Sequence, residues 1–113
     1  PLAMAIGNSV LDILLEKDFF KKVKQKGDYF DSELKKIKNK YPKIISEVRG
    51  EGLMKGIKLL VDNIEFIKNL MNHKMLTIKA EENVIRLFPP LTVENKEIDE
   101  AIKKIQKVCE EMN

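Results

Sequence analysis

Apolar residues recur at helical spacing over the first third of the chain. Residues 2–15 place them every three or four positions with few polar residues between, which predicts a helix covered on most sides. A second helix is expected to end before Pro42, because proline disfavours helical geometry in the residue that precedes it. Its apolar stripe consists of Phe19, Val23, Phe30, Leu34, Ile37 and Tyr41. Gly27 lies on the same line, where another backbone can come close.

Two further amphipathic helices are predicted later in the chain. A short one starts at Asp62 or Asn63, and a long one occupies the last part of the sequence. Their apolar positions are Ile64, Ile67, Leu70 and Met71 in the short helix, and Ile98, Ile102, Ile105, Val108 and Met112 in the long one. Each helix therefore needs a surface on which to pack its apolar side.

Short apolar runs predict strands at residues 44–48, 53–60, 75–79 and 84–88. Gly50 and Gly52 separate the first two runs, as expected for a tight connection that requires positive φ angles. The order helix, helix, strand, strand, helix, strand, strand, helix predicts an α+β fold. We expect one domain over residues 1–113, with a small, mostly antiparallel sheet of three to four strands covered by about four helices.

Composition excludes several classes of protein. Apolar residues make up 43% and charged residues 35% of the 113 positions, and no apolar run reaches the ~20 residues of a membrane span. Cys109 is the only cysteine, which favours a reducing compartment, so we expect a cytoplasmic protein. Cys109 is interpreted as a small core residue, and His73 as a polar residue of a loop or helix end rather than a metal ligand.

The basic residues do not indicate a nucleic-acid partner. Residues 17–43 are rich in lysine, but Arg49 and Arg86 are the only arginines among the 21 basic residues. Base reading and bidentate phosphate contacts favour arginine. The lysines lie opposite an apolar stripe, so they are interpreted as the solvated side of a helix.

Arg86 is the candidate binding residue. It lies within residues 83–88, a stretch that is otherwise mostly apolar, where a guanidinium needs an anionic partner. A carboxylate of the same chain would make it a structural ion pair. A ligand carboxylate would make it a recognition residue, since the planar guanidinium matches two carboxylate oxygens. The residues alone leave both alternatives open.

Three segments resemble the class III, fold-type I, pyridoxal-phosphate aminotransferases. Pro1-Leu2-Ala3 resembles the end of that family's GGNPLA segment, and VRGEGLMKGIKL (residues 48–59) its VRGxGLMxGxEL strand pair. NVIRLFPPLTV (residues 83–93) is similar to its substrate-arginine strand. The short spacer between Leu60 and Asn83 and the sequence IRLFPPL are most similar to those of acetylornithine aminotransferases. Ornithine and 4-aminobutyrate aminotransferases share much of the pattern.

The resemblance implies the C-terminal small domain of an enzyme that moves an amino group from N-acetylornithine to 2-oxoglutarate in arginine biosynthesis. It implies that Arg86 binds the substrate carboxylate, and that Arg49 has a structural role at a turn or interface. The parent enzyme would be a homodimer with pyridoxal phosphate in a large domain that this chain lacks. No catalytic, cofactor-binding or metal-binding residue is therefore expected here, and the chain alone is expected to be inactive.

A second hypothesis is a free-standing α+β module that uses Arg86 to bind a small carboxylate or a peptide. A third is a lysine-rich nucleic-acid binder, which the charge distribution disfavours. We expect no membrane association under any of these hypotheses.

Overall fold

A computed structural model describes residues 17–113. The elements are helix α1 (Lys17–Lys40), strands β1 (Ile45–Arg49) and β2 (Lys55–Leu59), helix α2 (Asn63–Asn72), strands β3 (Ile78–Ala80) and β4 (Val84–Leu87), and helix α3 (Asn95–Met112). The expected helix over residues 2–15 lies outside the described residues. Within them, three helices and a four-stranded antiparallel sheet confirm the α+β fold class.

The sheet has the strand order β1-β2-β4-β3, so β2 and β4 are central and β1 and β3 are the edges. Neighbouring strands are antiparallel throughout. Side chains alternate between the two faces of a strand. On β2 the alternation places Lys55, Ile57 and Leu59, all buried, on one face, with Gly56 and Lys58 on the other.

One core joins that face of the sheet to all three helices. Its members include Phe30, Leu34 and Ile37 from α1, Phe66 and Leu70 from α2, and Ile98, Ile102, Ile105, Val108 and Cys109 from α3. The stripes predicted for the first and last of these helices therefore face the core. Phe19 and Val23, at the start of the α1 stripe, are only partly buried.

The prediction for α2 is correct in position and partly wrong in orientation. Asp62 caps the helix and its carboxylate accepts a hydrogen bond from the Glu65 N–H at 3.3 Å. Phe66 and Leu70 are fully buried, whereas Ile64 and Met71 are 43% and 52% exposed. The buried stripe is thus centred on an aromatic residue that the predicted apolar positions left out.

The connection between β1 and β2 has the geometry that its glycines predicted. Gly50 has a φ of 120° and Gly52 a φ of 56°, both in the region that favours glycine. A Cβ added to Gly27 of α1 would lie 2.5 Å from the carbonyl oxygen of Gly52. The expected close approach of a second backbone at Gly27 is confirmed, and it fixes the hairpin against the helix.

β3 is shorter than the sequence suggested. It begins at Ile78 rather than near residue 75, and Leu76 is 83% exposed. β4 covers most of the predicted run and ends before Phe88. The central position of β4 places Arg86 between two other strands.

Candidate functional site

The face of the sheet that points away from the helices carries a row of four residues. Arg49 of β1 pairs with Gly56 of β2, Gly56 pairs with Arg86 of β4, and Arg86 pairs with Ile78 of β3. Directly paired residues project on the same side of a sheet. Arg49 and Arg86 therefore lie on one face. Gly56 lies between them and has no side chain that could obstruct either arginine. We call this surface the open face.

Arg86 is exposed on the open face, while Ile85 and Leu87 on either side of it are buried in the core. Because water reaches the Arg86 guanidinium here, its charge does not require an anionic partner from the described residues. It forms no ion pair with any carboxylate of residues 17–113. The sequence left open a structural ion pair and a ligand-binding role. The described residues provide no carboxylate partner for the first of these.

Arg49 has two carboxylate neighbours. Its Nη2 donates to Glu47 Oε2 at 2.9 Å, and its Nη1 lies 3.9 Å from Glu82 Oε2. The hydrogen bond from Arg49 lowers the pKa of Glu47 and raises that of Arg49 itself. Glu82 belongs to the turn between β3 and β4. The contact between Arg49 and Glu82 therefore joins edge strand β1 to the β3–β4 hairpin.

That turn is held by the side chain of Asn83. Glu82 and Asn83 have φ angles of 61° and 62°. The Asn83 amide donates to the carbonyls of Leu59 at 2.8 Å and Val61 at 2.7 Å, and its oxygen accepts from the Asn63 N–H at 2.9 Å. Asparagine tolerates this backbone conformation better than most residues. Asn83 thereby fixes the start of β4 and the position of Arg86 three residues later.

Arg49, Glu82 and Arg86 line one open concavity, together with Gly56 and the apolar side chains of Met54, Ile78, Val84 and Phe88. Met54, Ile78 and Phe88 are 59%, 55% and 48% exposed. Cations beside exposed apolar groups suit a ligand that carries an anionic end and an uncharged remainder.

The other titratable residues singled out by the sequence are structural. Cys109 is fully buried, and burial raises the pKa of its thiol to about 12, which agrees with a core role. His73 is the C-cap residue that follows α2, and its Nε2 lies 3.0 Å from Glu111 Oε1. No cluster of three or more metal-ligating side chains occurs among residues 17–113. None of the helices described there has the length and apolar character to cross a membrane.

Lys55 is a buried lysine that sequence reasoning did not single out. It is 5% exposed, and its Nζ lies 3.5 Å from Asp31 Oδ1 on α1. Asp31 also accepts from Lys35 at 2.8 Å. Lys55 begins β2 immediately after an exposed methionine, and nothing in the sequence marks it as the member of that strand that turns inward.

Comparison with known proteins accounts for the motifs. The family model for class-III aminotransferases matches residues 1–109. This chain belongs to the class-III aminotransferase family. It is 42% identical to an acetylornithine aminotransferase of Mesorhizobium japonicum, over 94% of the chain and 27% of that relative. It is 38% identical to an ornithine aminotransferase of Staphylococcus carnosus, over 96% of the chain and 26% of that relative.

Solved aminotransferase structures share the fold. The acetylornithine aminotransferase of Elizabethkingia anophelis superposes with a TM-score of 0.84 at 28% identity, over 98% of this chain and 29% of that one. The Plasmodium falciparum ornithine δ-aminotransferase gives a TM-score of 0.82 at 27% identity. The chain thus spans just over a quarter of the length of the relatives that it matches.

Proposed function

We propose that residues 1–113 form the C-terminal small domain of an aminotransferase that transfers an amino group from N-acetylornithine to 2-oxoglutarate in arginine biosynthesis. In this proposal Arg86 binds the α-carboxylate of the substrate. The chain alone, which matches just over a quarter of its relatives, has no transaminase activity. Identity of 42% to a protein named acetylornithine aminotransferase supports the choice of amino donor.

The observation that carries the proposal is the state of the Arg86 guanidinium. It lies at the centre of the open face, in a concavity with exposed apolar neighbours, and no carboxylate of residues 17–113 neutralises it. A guanidinium in that setting has its donors available for a bidentate contact with a ligand carboxylate. The rigid central strand beneath it fixes the direction of those donors.

The role of Arg86 is to orient the substrate. A bidentate contact fixes both the position and the plane of the carboxylate, and so presents the amino or oxo carbon in one direction. Arginine stays protonated across the physiological range and moves no proton itself. Met54, Ile78 and Phe88 on the same concavity supply apolar contact for the uncharged part of the substrate and exclude water from it.

Family membership implies pyridoxal phosphate, and the described residues do not fit it. An imine with the cofactor needs a lysine amine that is available inside an enclosed site. Lys55, the buried lysine of residues 17–113, is paired with Asp31, and the other lysines whose burial the structure describes are at least partly exposed to water. The open face also lacks an enclosed pocket of cofactor size. In the proposal the cofactor is bound by the large domain of the parent protein, and none binds to this chain.

The large domain and a second subunit are the proposed partners. The exposed apolar side chains of the open face would be covered by one or both of them in the parent homodimer, which we propose to be a cytoplasmic enzyme. The module hypothesis differs on this point, because a free-standing module would use the same face without further protein.

The test compares the chain with the full-length protein that contains it. Full-length protein is expected to show 2-oxoglutarate-dependent transamination of N-acetylornithine, and the 113-residue chain none. Arg86→Ala in the full-length protein should reduce kcat/KM roughly 10- to 100-fold, the range expected when charge-assisted hydrogen bonds are lost. Arg86→Lys, which keeps the charge without the bidentate geometry, should recover only part of the loss.

Three outcomes would contradict all or part of the proposal. Turnover by the 113-residue chain, with the absorbance of a bound cofactor, would show that the chain is self-sufficient. Tight binding of 2-oxoglutarate to the chain that disappears in Arg86→Ala would instead support the free-standing module. Ornithine used in preference to N-acetylornithine by the full-length protein would move the enzyme to the ornithine subgroup, as the Staphylococcus carnosus relative suggests.

A further inference from the structure

Glu82 is a carboxylate on the same surface as Arg86. Both residues line the same concavity, and Glu82 belongs to the turn that leads directly into the Arg86 strand. The carboxylate of Glu82 is 70% exposed and therefore free to change its rotamer. The described contacts nevertheless place it beside Arg49.

The strand register places Arg49 and Arg86 on the same face, so the Glu82 carboxylate can be a common neighbour of both. Arg49 and Arg86 are separated by the single residue Gly56 in the cross-strand row, which corresponds to about 10 Å between their backbones. Two arginine side chains that project from the same face across that gap can reach a common carboxylate. Gly56 adds no side chain between them.

We propose that Arg49 is a positioning residue for Arg86: by holding the Glu82 carboxylate, it keeps the Arg86 guanidinium free for the carboxylate of the substrate. This inference rests on the function proposed above. Its physical basis is competition, since a carboxylate of the same chain at high local concentration would occupy the donors that the ligand needs. Arg49 removes that competitor and keeps a second positive charge beside the site.

Glu47, the other carboxylate beside Arg49, is not a competitor for Arg86. It lies two residues from Arg49 on the edge strand, and its cross-strand partner is Lys58, on the same face. Loss of Arg49 therefore leaves Glu47 next to another cation. Among the described cations, Arg49 is the one that contacts Glu82, so Glu82 is the carboxylate that its loss would release.

The first test is kinetic and uses the full-length protein. Arg49→Met should raise KM for the amino acid and for the oxo acid by about fivefold, the equivalent of one exposed ion pair that the substrate must now displace, with kcat nearly unchanged. Glu82→Gln added to Arg49→Met should return KM to within twofold of the parent value. Glu81→Gln added instead is the matched control.

Glu81 makes this control informative because it lies in the same turn and the same concavity, but makes no ion pair with a described residue. Both double variants restore the same net charge. Rescue by Glu82→Gln alone supports displacement of a specific competitor. Equal rescue by Glu81→Gln would overturn the inference, because it would reduce the role of Arg49 to its charge. An unchanged KM in Arg49→Met would also overturn it.

The second test needs no enzyme activity. Arg49→Met leaves Arg86 as the only arginine of the 113-residue chain, so its guanidinium Nε–Hε signal in an NMR spectrum is unambiguous. We expect that signal to shift when Arg49 is replaced, as Arg86 takes Glu82, and to return when Glu82→Gln is added. An Arg86 signal that does not respond to Glu82→Gln contradicts the inference.

The two tests separate this inference from the proposed function. Full-length protein without transaminase activity would refute the function, while the NMR experiment would still decide whether Arg49 keeps Glu82 from Arg86. Arg49 is exposed on an edge strand, so its replacement is not expected to prevent folding. If Arg49→Met fails to fold, Arg49→Gln gives the same two readouts.

Discussion

The two faces of the sheet differ in what the chain itself supplies. On one face Ile57 and Ile85 pair directly and are fully buried under three helices. On the other, Arg86 and Ile78 pair just as directly and remain exposed. The backbone is equally regular on both sides, so the difference lies in the side chains and in what covers them. The first face contributes to the stability of the fold, and the second is available for binding.

This contrast separates evidence about the fold from evidence about function. The covered face consists mainly of apolar residues that packing requires, with Lys55 as a paired exception, whereas the open face carries several residues whose types packing does not require. Arg49, Arg86 and Glu82 lie there with exposed apolar neighbours. A substitution on the covered face should therefore change stability, and one on the open face should change binding.

The largest expected effect is the difference between alanine substitutions at two isoleucines on opposite faces of the sheet, one on β2 and one on β3. Ile57→Ala on the covered face should lower the free energy of unfolding by about 4 kcal/mol, because Ile57 is fully buried and its truncation leaves a cavity. Ile78→Ala on the open face should lower it by less than about 1 kcal/mol, since Ile78 is 55% exposed. Urea titration measures both. Similar losses would mean that the open face also contributes to the core.

Replacing one or the other member of the Asp31–Lys55 ion pair, beneath the covered face, should lower the stability of the chain by different amounts. Asp31→Ala should cost about 3 kcal/mol, because it leaves Lys55 buried without its partner. Lys55→Met should have a small effect, because Asp31 keeps its contact with Lys35 and the methionine fills the space of the lysine stem. Equal losses from both variants would contradict this account.

The same carboxylate predicts a pH dependence. A hydrogen bond from Lys35, followed by the charge of Lys55, holds the pKa of Asp31 below its ordinary value of 3.8. Because the folded pKa is the lower one, the stabilisation is complete above pH 3.8 and is lost as the pH falls through the folded value. The stability of Asp31→Ala should therefore fall less steeply than that of the parent chain between about pH 4 and pH 2. Parallel pH profiles would count against it.

The smallest expected effect is the difference in stability between alanine substitutions at two glycines. Gly27→Ala should destabilise the chain by about 2 kcal/mol, because the new methyl group meets the backbone of Gly52, which cannot move without disturbing the hairpin. Gly56→Ala on the open face should be nearly neutral, since its nearest neighbour is the Val84 side chain at 3.4 Å. Thermal unfolding of the two variants distinguishes them. A neutral Gly27→Ala would disprove the close approach.

The sequence predicted the covered face well because burial leaves a periodic pattern. The apolar stripes of α1 and α3, the strand pairs and the turn that contains Gly50 and Gly52 follow from spacing alone. Gly27 was predicted to meet another backbone, although only the structure identifies Gly52 as the partner. Spacing gives the side of an element that is buried and not the residue that it meets.

The remaining features could not be predicted because they depend on contacts between distant parts of the chain. The orientation of α2 follows Phe66 rather than Ile64, since the sheet beneath selects one of two plausible apolar sides. Asn83 connects β4 to residues more than twenty positions away. Arg86 was identified by its neighbours in sequence, but its exposure and the pairing of Arg49 with Glu82 appear only when the strands are assembled.

The buried sulfur of Cys109 gives the chain an internal reporter of its own opening. A thiol whose pKa is raised to about 12 inside α3 cannot react with an alkylating reagent until that helix leaves the core. Since the chain has no other thiol, the rate of labelling follows a single event. That rate would show whether contact of the open face with another protein also slows the detachment of α3 on the far side of the sheet.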